Sequence, residues 1–165
     1  MRKAPVLFWL TTLACGGGAG EADVSGSIEG VAFDSVATVF HGNNHIVFID
    51  RAIDCLDMAW VDDVYVDGED PTGGDQQFIA LQFSFQSDTP LVGTFSVSPD
   101  APVKGYGLMN DPKANDGAFT FHRVRGGTIT IAEADSNTVS GSFSAEFSSD
   151  MTEGSFEAEY CRNLR

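Results

Sequence analysis

Basic residues are scarce in this chain. Nine lysines and arginines stand against 24 aspartates and glutamates over 165 residues, a formal charge of −15 at pH 7. A surface of that sign repels phosphate backbones and anionic headgroups, which argues against nucleic acid as a partner and against electrostatic attachment to a membrane. It suits divalent cations, cationic ligands or simple colloidal solubility. Long apolar runs are missing as well. The run Ala4 to Ala14 has eleven residues and includes Thr11 and Thr12, about half of the ~20 that a membrane-spanning helix needs. Cysteine occurs three times, with neither a metal-knuckle nor a C-x-x-C spacing, so a catalytic thiol is not expected. G-x-S-x-G, P-loop, H-E-x-x-H and G-x-G-x-x-G signatures are all absent, which removes the common hydrolase and nucleotide-binding motifs. The chain reads as a non-enzyme.

What is present begins with MRKAPVLFWLTTLACGGGAG. Arg2 and Lys3 form a positive start, an apolar core follows, and the small residue Ala14 precedes Cys15; these are the parts of an export signal. Ala14-Cys15 followed by Gly16, Gly17 and Gly18 resembles the lipobox of bacterial lipoproteins, whose cysteine is acylated and becomes the mature N-terminus. The family pattern prefers Leu, Val or Ile three places before the cysteine and a small residue two before, whereas this chain has Thr12 and Leu13 there. The resemblance implies a signal peptide at 1–14, lipidation of Cys15, and a flexible tether through residue 23. It also implies a membrane partner, reached through an N-terminal lipid anchor. A single acyl chain anchors only marginally, and the lipoproteins that this resembles carry more than one. Gly16 stands where an aspartate would imply inner-membrane retention, so the expected address is the outer membrane, with a secreted or periplasmic protein as the alternative.

With Cys15 assigned to lipid, Cys55 and Cys161 are left as an even pair in an oxidising compartment, where a disulfide forms and persists. Two buried free thiols are the alternative. Loss of Arg2 and Lys3 with the signal leaves seven basic against 24 acidic residues, a mature charge of −17.

Residues 24–165 are expected to form one all-β domain, by size sufficient for a sizeable core. Turn clusters such as GNN, SPDAP, RGG, EADSN and SSDMTEG separate short runs that alternate with period two, the pattern of half-buried strands. Ile79, Leu81, Phe83 and Phe85 share one face, as do Leu91, Phe95 and Val97. Ile129 and Ile131 form a third such set, and Phe143, Ala145 and Phe147 a fourth. Phe156, Ala158 and Tyr160 form a fifth, in a strand expected to make an antiparallel hairpin with the one before it. The glycines of a recurrent G-[ST]-[FI] pattern, Gly26, Gly93, Gly141 and Gly154, are expected to mark bulges or strand starts. At most one short helix is expected near 51–60, with Asp50 as its cap and Ile53, Leu56 and Trp60 on one side. Roughly nine or ten strands give an antiparallel β-sandwich, with a closed β-barrel as the alternative. The mature region resembles the small all-β domains of uncharacterised exported lipoproteins, which open with V-x-G-x-I-x-G (here VSGSIEG) and close with G-x-F-x-A-x-Y-C (here GSFEAEYC).

Three constellations bear on chemistry. DDVYVDGEDPTGGD holds Asp62, Asp63, Asp67, Glu69, Asp70 and Asp75; calcium takes six to eight oxygens, so Asp67, Glu69, Asp70 and Asp75 are the candidate ligands, although the EF-hand spacing is absent. Otherwise the loop is a solvated acidic turn, and no cofactor is required. His41 and His45 flank a Gly42-Asn43-Asn44 turn and would face each other ~5 Å apart at Cβ across a hairpin end, as two ligands of a transition metal. Glu157 and Glu159 lie two apart on one strand, ~6.5–7 Å, within the range of an inverting glycosidase pair. Glu146 would stand beside them, and Arg123, Arg125 and Arg162 would neutralise part of the stripe. The leading expectation is a lipid-anchored envelope β-domain that binds or supports something. The alternatives are a calcium-supported carbohydrate-binding sandwich, using Trp60 or Tyr65 for stacking, and a small glycoside hydrolase using the glutamates.

Overall fold

A computed structural model of the chain describes residues 20–34, 36–58, 78–86, 91–110 and 119–164. Eleven strands follow one another: β1 (Glu21–Ile28), β2 (Val31–Ala32), β3 (Thr38–His41), β4 (His45–Ile49), β5 (Phe78–Phe85), β6 (Gly93–Ser96), β7 (Val103–Asn110), β8 (Phe119–Arg123), β9 (Gly126–Ala134), β10 (Thr138–Glu146) and β11 (Met151–Tyr160). The helical candidate is a single 3-10 turn, Cys55–Met58. Ile53 packs partly against the molecule, but Leu56 is 70% exposed, so the expected helical face does not form. No helix among the described residues is long and apolar enough to cross a membrane.

The strands join in the order β6-β9-β10-β11-β3-β4-β5-β7-β8, with β1 also on β11 and β2 on β1. Every ladder between strands is antiparallel except β11–β3, which pairs Glu159 with Phe40 and Tyr160 with His41 in parallel. The sheet curls because its two ends are stitched together. From β8 the chain steps through Val124, whose amide donates to Gly105 of β7, and Arg125, whose amide donates to Glu146 of β10, directly into β9. Val97, just after β6, forms a parallel bridge with Val103 of β7. The result is one continuous sheet rolled into a half-barrel, all-β as expected and intermediate between the sandwich and the closed barrel.

Alternation decides which face fills the roll. Ile79, Leu81 and Phe83 of β5, Ile129 and Ile131 of β9, Phe143 and Ala145 of β10, and Phe156 and Ala158 of β11 are all buried in one inner cluster. Its centre is aromatic: the Phe48 ring lies 4.8 Å from Phe143, 5.2 Å from Phe156 and 6.0 Å from Phe83. Each such ring contributes roughly 1.5–3 kcal/mol by leaving water, with edge-to-face contacts adding to that. Tyr160 departs from the expected inward set: at the end of β11 it is 45% exposed, because the strand there leaves the roll to run beside β3. Leu91, before β6, is also exposed.

A second, smaller cluster covers part of the outer face. Phe40, Val47, Ile49, Ala80 and Leu108 point outward from β3, β4, β5 and β7 and are sealed by Cys161 and Leu164 of the C-terminal segment. A disulfide between Cys55 and Cys161 holds this flap, with Cα atoms 5.4 Å apart and a sequence separation of 106. The Asn163 amide group donates to the Cys55 carbonyl at 3.0 Å.

At the N-terminal side, β1 starts three residues before the expected domain boundary at Val24. Glu21, Ala22 and Asp23 pair with Glu157, Phe156 and Ser155, and the Gly20 amide donates to the Val39 carbonyl. Backbone pairing extends into a stretch that has no apolar periodicity.

Candidate functional site

Several of the candidate residues lie outside the described residues: Cys15, Trp60, Tyr65, and the acidic loop with Asp67, Glu69, Asp70 and Asp75. The others can be placed. His41 and His45 do flank the β3–β4 hairpin, but they do not face each other. His41 pairs with Ile46, an inner-cluster residue, so its side chain turns inward. His45 pairs with Ser84 on the other side and belongs to the outward set with Val47 and Ile49. A turn of three residues puts the two histidines out of register by one, and that single step sends them to opposite faces. The proposed two-histidine metal pair is therefore not formed. Among the described residues no group of three or more His, Cys, Asp or Glu side chains is arranged to hold a metal.

His41 is 6% exposed. Its Nε2 lies 3.4 Å from the Asn137 carbonyl and its ring 5.4 Å from that of Tyr160. Burial holds its pKa below the ordinary imidazole value, against the opposing pull of the Asn137 carbonyl. Asp50, just after β4, is shifted the other way: burial raises its carboxyl, and Oδ1 has no hydrogen-bond partner.

The glutamates stand on the outer, convex face. Glu157 pairs with Ser140 and Glu159 with Thr138, so both project away from the core, but Glu146 pairs with Met151 at the far end of the hairpin. Six residues of β11 separate Met151 from Glu157, about 20 Å at the rise of a strand. The three glutamates do not form one group. Arg123, on β8, pairs with Tyr106 of β7 and does not lie beside β11. What does lie beside Glu157 is another acid, because Glu21 of β1 is its direct partner on the opposite flank.

At the end of the roll two turns are clipped by carboxylates. The Ser148 amide donates to Glu29 Oε1 at 2.9 Å, and the Gly30 amide donates to Asp150 Oδ2. The Ser148 bonds hold the Glu29 carboxyl below its usual range. Glu29 itself has a φ of 47°, a left-handed conformation that this clip sustains.

The outer face of β4, β5, β7 and β8 carries the most organised polar surface. Pairing aligns His45, Ser84 and Lys104 in one row, and Val47, Gln82, Tyr106 and Arg123 in the next. His45 Nδ1 lies 3.0 Å from Ser84 Oγ and 2.9 Å from Gln82 Nε2, and Gln82 Nε2 also donates to Ser84 Oγ at 3.2 Å. Gln82 is 4% exposed, so this network is fixed beneath the surface rather than loosely solvated. Beside it Lys104, Gly105, Tyr106, Arg123, Val124 and Pro99 line a shallow depression of about 70 Å³. The sequence pattern places Arg123 with the glutamate stripe and carries no signal for Lys104 or Tyr106. The signal that joins them is strand register, since nineteen positions separate Lys104 from Arg123.

The fold and this surface define a class: a disulfide-tied, half-barrel β-domain with an apolar interior and an ordered polar network on part of its convex face. No family model, no curated protein and no solved structure matches the chain.

Proposed function

We propose that the protein is an exported, lipid-anchored β-domain of the cell envelope that works by binding rather than by catalysis. The observation that carries this reading is the pairing of Cys55 with Cys161. Disulfides persist in exported compartments, and this one leaves Cys15 as the unpaired cysteine, directly after Ala14 in a lipobox-like setting. The outer membrane is the address that Gly16 favours. Binding is favoured because the concave interior is filled by apolar side chains, which leaves the exterior as the working surface.

Cys15→Ser is the direct test. The wild type is expected in the membrane fraction and to incorporate labelled fatty acid; the variant is expected in the soluble fraction without label. An unchanged membrane fraction for Cys15→Ser overturns the anchor. Thiol alkylation adds a second readout: Cys55 and Cys161 should resist the reagent until the protein is denatured and reduced.

A further inference from the structure

We infer that Lys104 and Arg123, on either side of Tyr106, form a binding site for a single oxyanion group, a carboxylate, sulfate or phosphate, free or borne on a sugar. The inference rests on the binding reading above but is independent of the anchor.

Lys104 and Tyr106 are two apart on β7 and so share a face, and Arg123 pairs directly with Tyr106 from β8. The two cations are thus diagonal neighbours on adjacent strands, ~7–8 Å apart at their backbones. In a chain with 24 carboxylates, neither of them makes an ion pair with any of the described residues, although Asp100 lies in the turn just before β7. Two like charges held side by side repel each other, and an anion between them removes that cost. Arginine offers a planar fork that meets an oxyanion with two parallel bonds, and lysine adds a mobile point charge.

Size selects the ligand. At about 70 Å³ the depression has room for roughly two waters, at the ~30 Å³ that each occupies in the liquid. That accommodates one oxyanion group and falls well short of the ~300–1,000 Å³ of a drug-sized pocket. The rest of a larger ligand would lie outside, against the Tyr106 side of the depression. The floor is firm: the Val124 amide donates to the Gly105 carbonyl at 2.9 Å, and a Cβ on Gly105 would collide with Val124. The surrounding acidic surface repels anions in general, so binding should be confined to this spot.

The test is a titration of the ¹⁵N-labelled full chain carrying Cys15→Ser with sodium phosphate, sodium galacturonate and neutral galactose, at constant ionic strength. Saturable amide shifts confined to 104–106 and 123–124 are expected with an anion and not with galactose. Saturation by phosphate identifies a free oxyanion as sufficient; saturation by galacturonate alone identifies a sugar-borne carboxylate. Each of Lys104→Gln and Arg123→Gln should weaken binding about tenfold, the worth of one charge-assisted hydrogen bond. Arg125→Gln, an exposed change outside the depression, should leave it unaltered. The inference is overturned if no anion saturates the shifts, if galactose does so equally, or if Arg125→Gln weakens binding as much as Arg123→Gln. Lys104 and Arg123 are both exposed, so their replacement does not endanger the fold. Failure here with an intact lipid anchor would remove the anion site and leave the envelope reading standing.

Discussion

Two ionisable side chains, His41 buried and Asp50 half-buried, work against the fold on opposite sides of their titrations. Burial lowers the pKa of His41. The unfolded chain protonates it near 6.5, so as the pH falls below that value the unfolded state takes up a proton that the folded state refuses, and stability declines. The decline runs from about pH 6.5 down to the lowered native value, and His41→Phe should flatten it in denaturant titrations across that window. A slope unchanged in His41→Phe would assign the effect elsewhere. Asp50 has the reverse sign. Its raised carboxyl keeps its proton in the folded state after the unfolded chain has lost it near 3.8. Stability from this group is therefore greatest in acid and falls as the pH rises through the window above 3.8. At neutral pH Asp50→Asn should raise the melting temperature, and the gain should vanish below pH 4. A gain that persists in acid would mean that the amide contributes through a new hydrogen bond to the unpartnered site rather than by removing a charge.

Between elements, register decides more than composition does. Glu21 of β1 and Glu157 of β11 are directly opposite, an arrangement that destabilises a strand pair by a few tenths to about 1 kcal/mol. Glu157→Lys should recover at least that amount in urea titrations, and added salt should stabilise the wild type more than the variant. If both respond to salt alike, the two carboxylates are not in effective contact. Such pairings mark the boundary of what the sequence could reveal. Period-two alternation was enough to find β5, β9, β10 and β11 and to orient Phe143, Phe156 and Ile129 inward, because one buried face imprints itself on every second residue. Gly141 was likewise legible as an irregularity: the β9–β10 register shifts at Ser140/Gly141, and a Cβ there would strike the Thr130 carbonyl. Hidden from that pattern was the parallel joint of β11 with β3, which rests on two paired residues separated by more than a hundred positions. The oxyanion site was hidden for the same reason. Lys104 and Arg123 carry no shared motif, and only the β7–β8 ladder brings them together. The outer cluster left a trace in His45–Ile49, whose four apolar residues in succession have no polar face to offer water.

At the scale of the molecule, that outer cluster and the disulfide are one device. An inward core alone would make β3, β4 and β5 ordinary half-buried strands, but Leu164 and Cys161 close over Phe40, Val47, Ile49, Ala80 and Leu108. The bridge spans 106 residues, and loop-closure entropy assigns a crosslink of about that span ~4.7 kcal/mol. Two mechanisms can deliver this stability, and they are separable. If the bridge acts by restricting the unfolded chain, Cys55→Ala with Cys161→Ala should lower the unfolding free energy by about 4–5 kcal/mol while native-state amide exchange keeps its pattern. If the bridge acts as a clasp on the native flap, exchange should accelerate first at 50–56 and 161–164, with the inner strands unaffected until global unfolding. Because Cys161 is itself a buried member of the outer cluster, both effects are expected together: a global loss near the entropic value and a local opening of the C-terminal flap. Local opening with no global loss would show that the unfolded chain is already compact enough for the crosslink to cost it little. The aromatic interior around Phe48 would then carry the stability of the half-barrel alone.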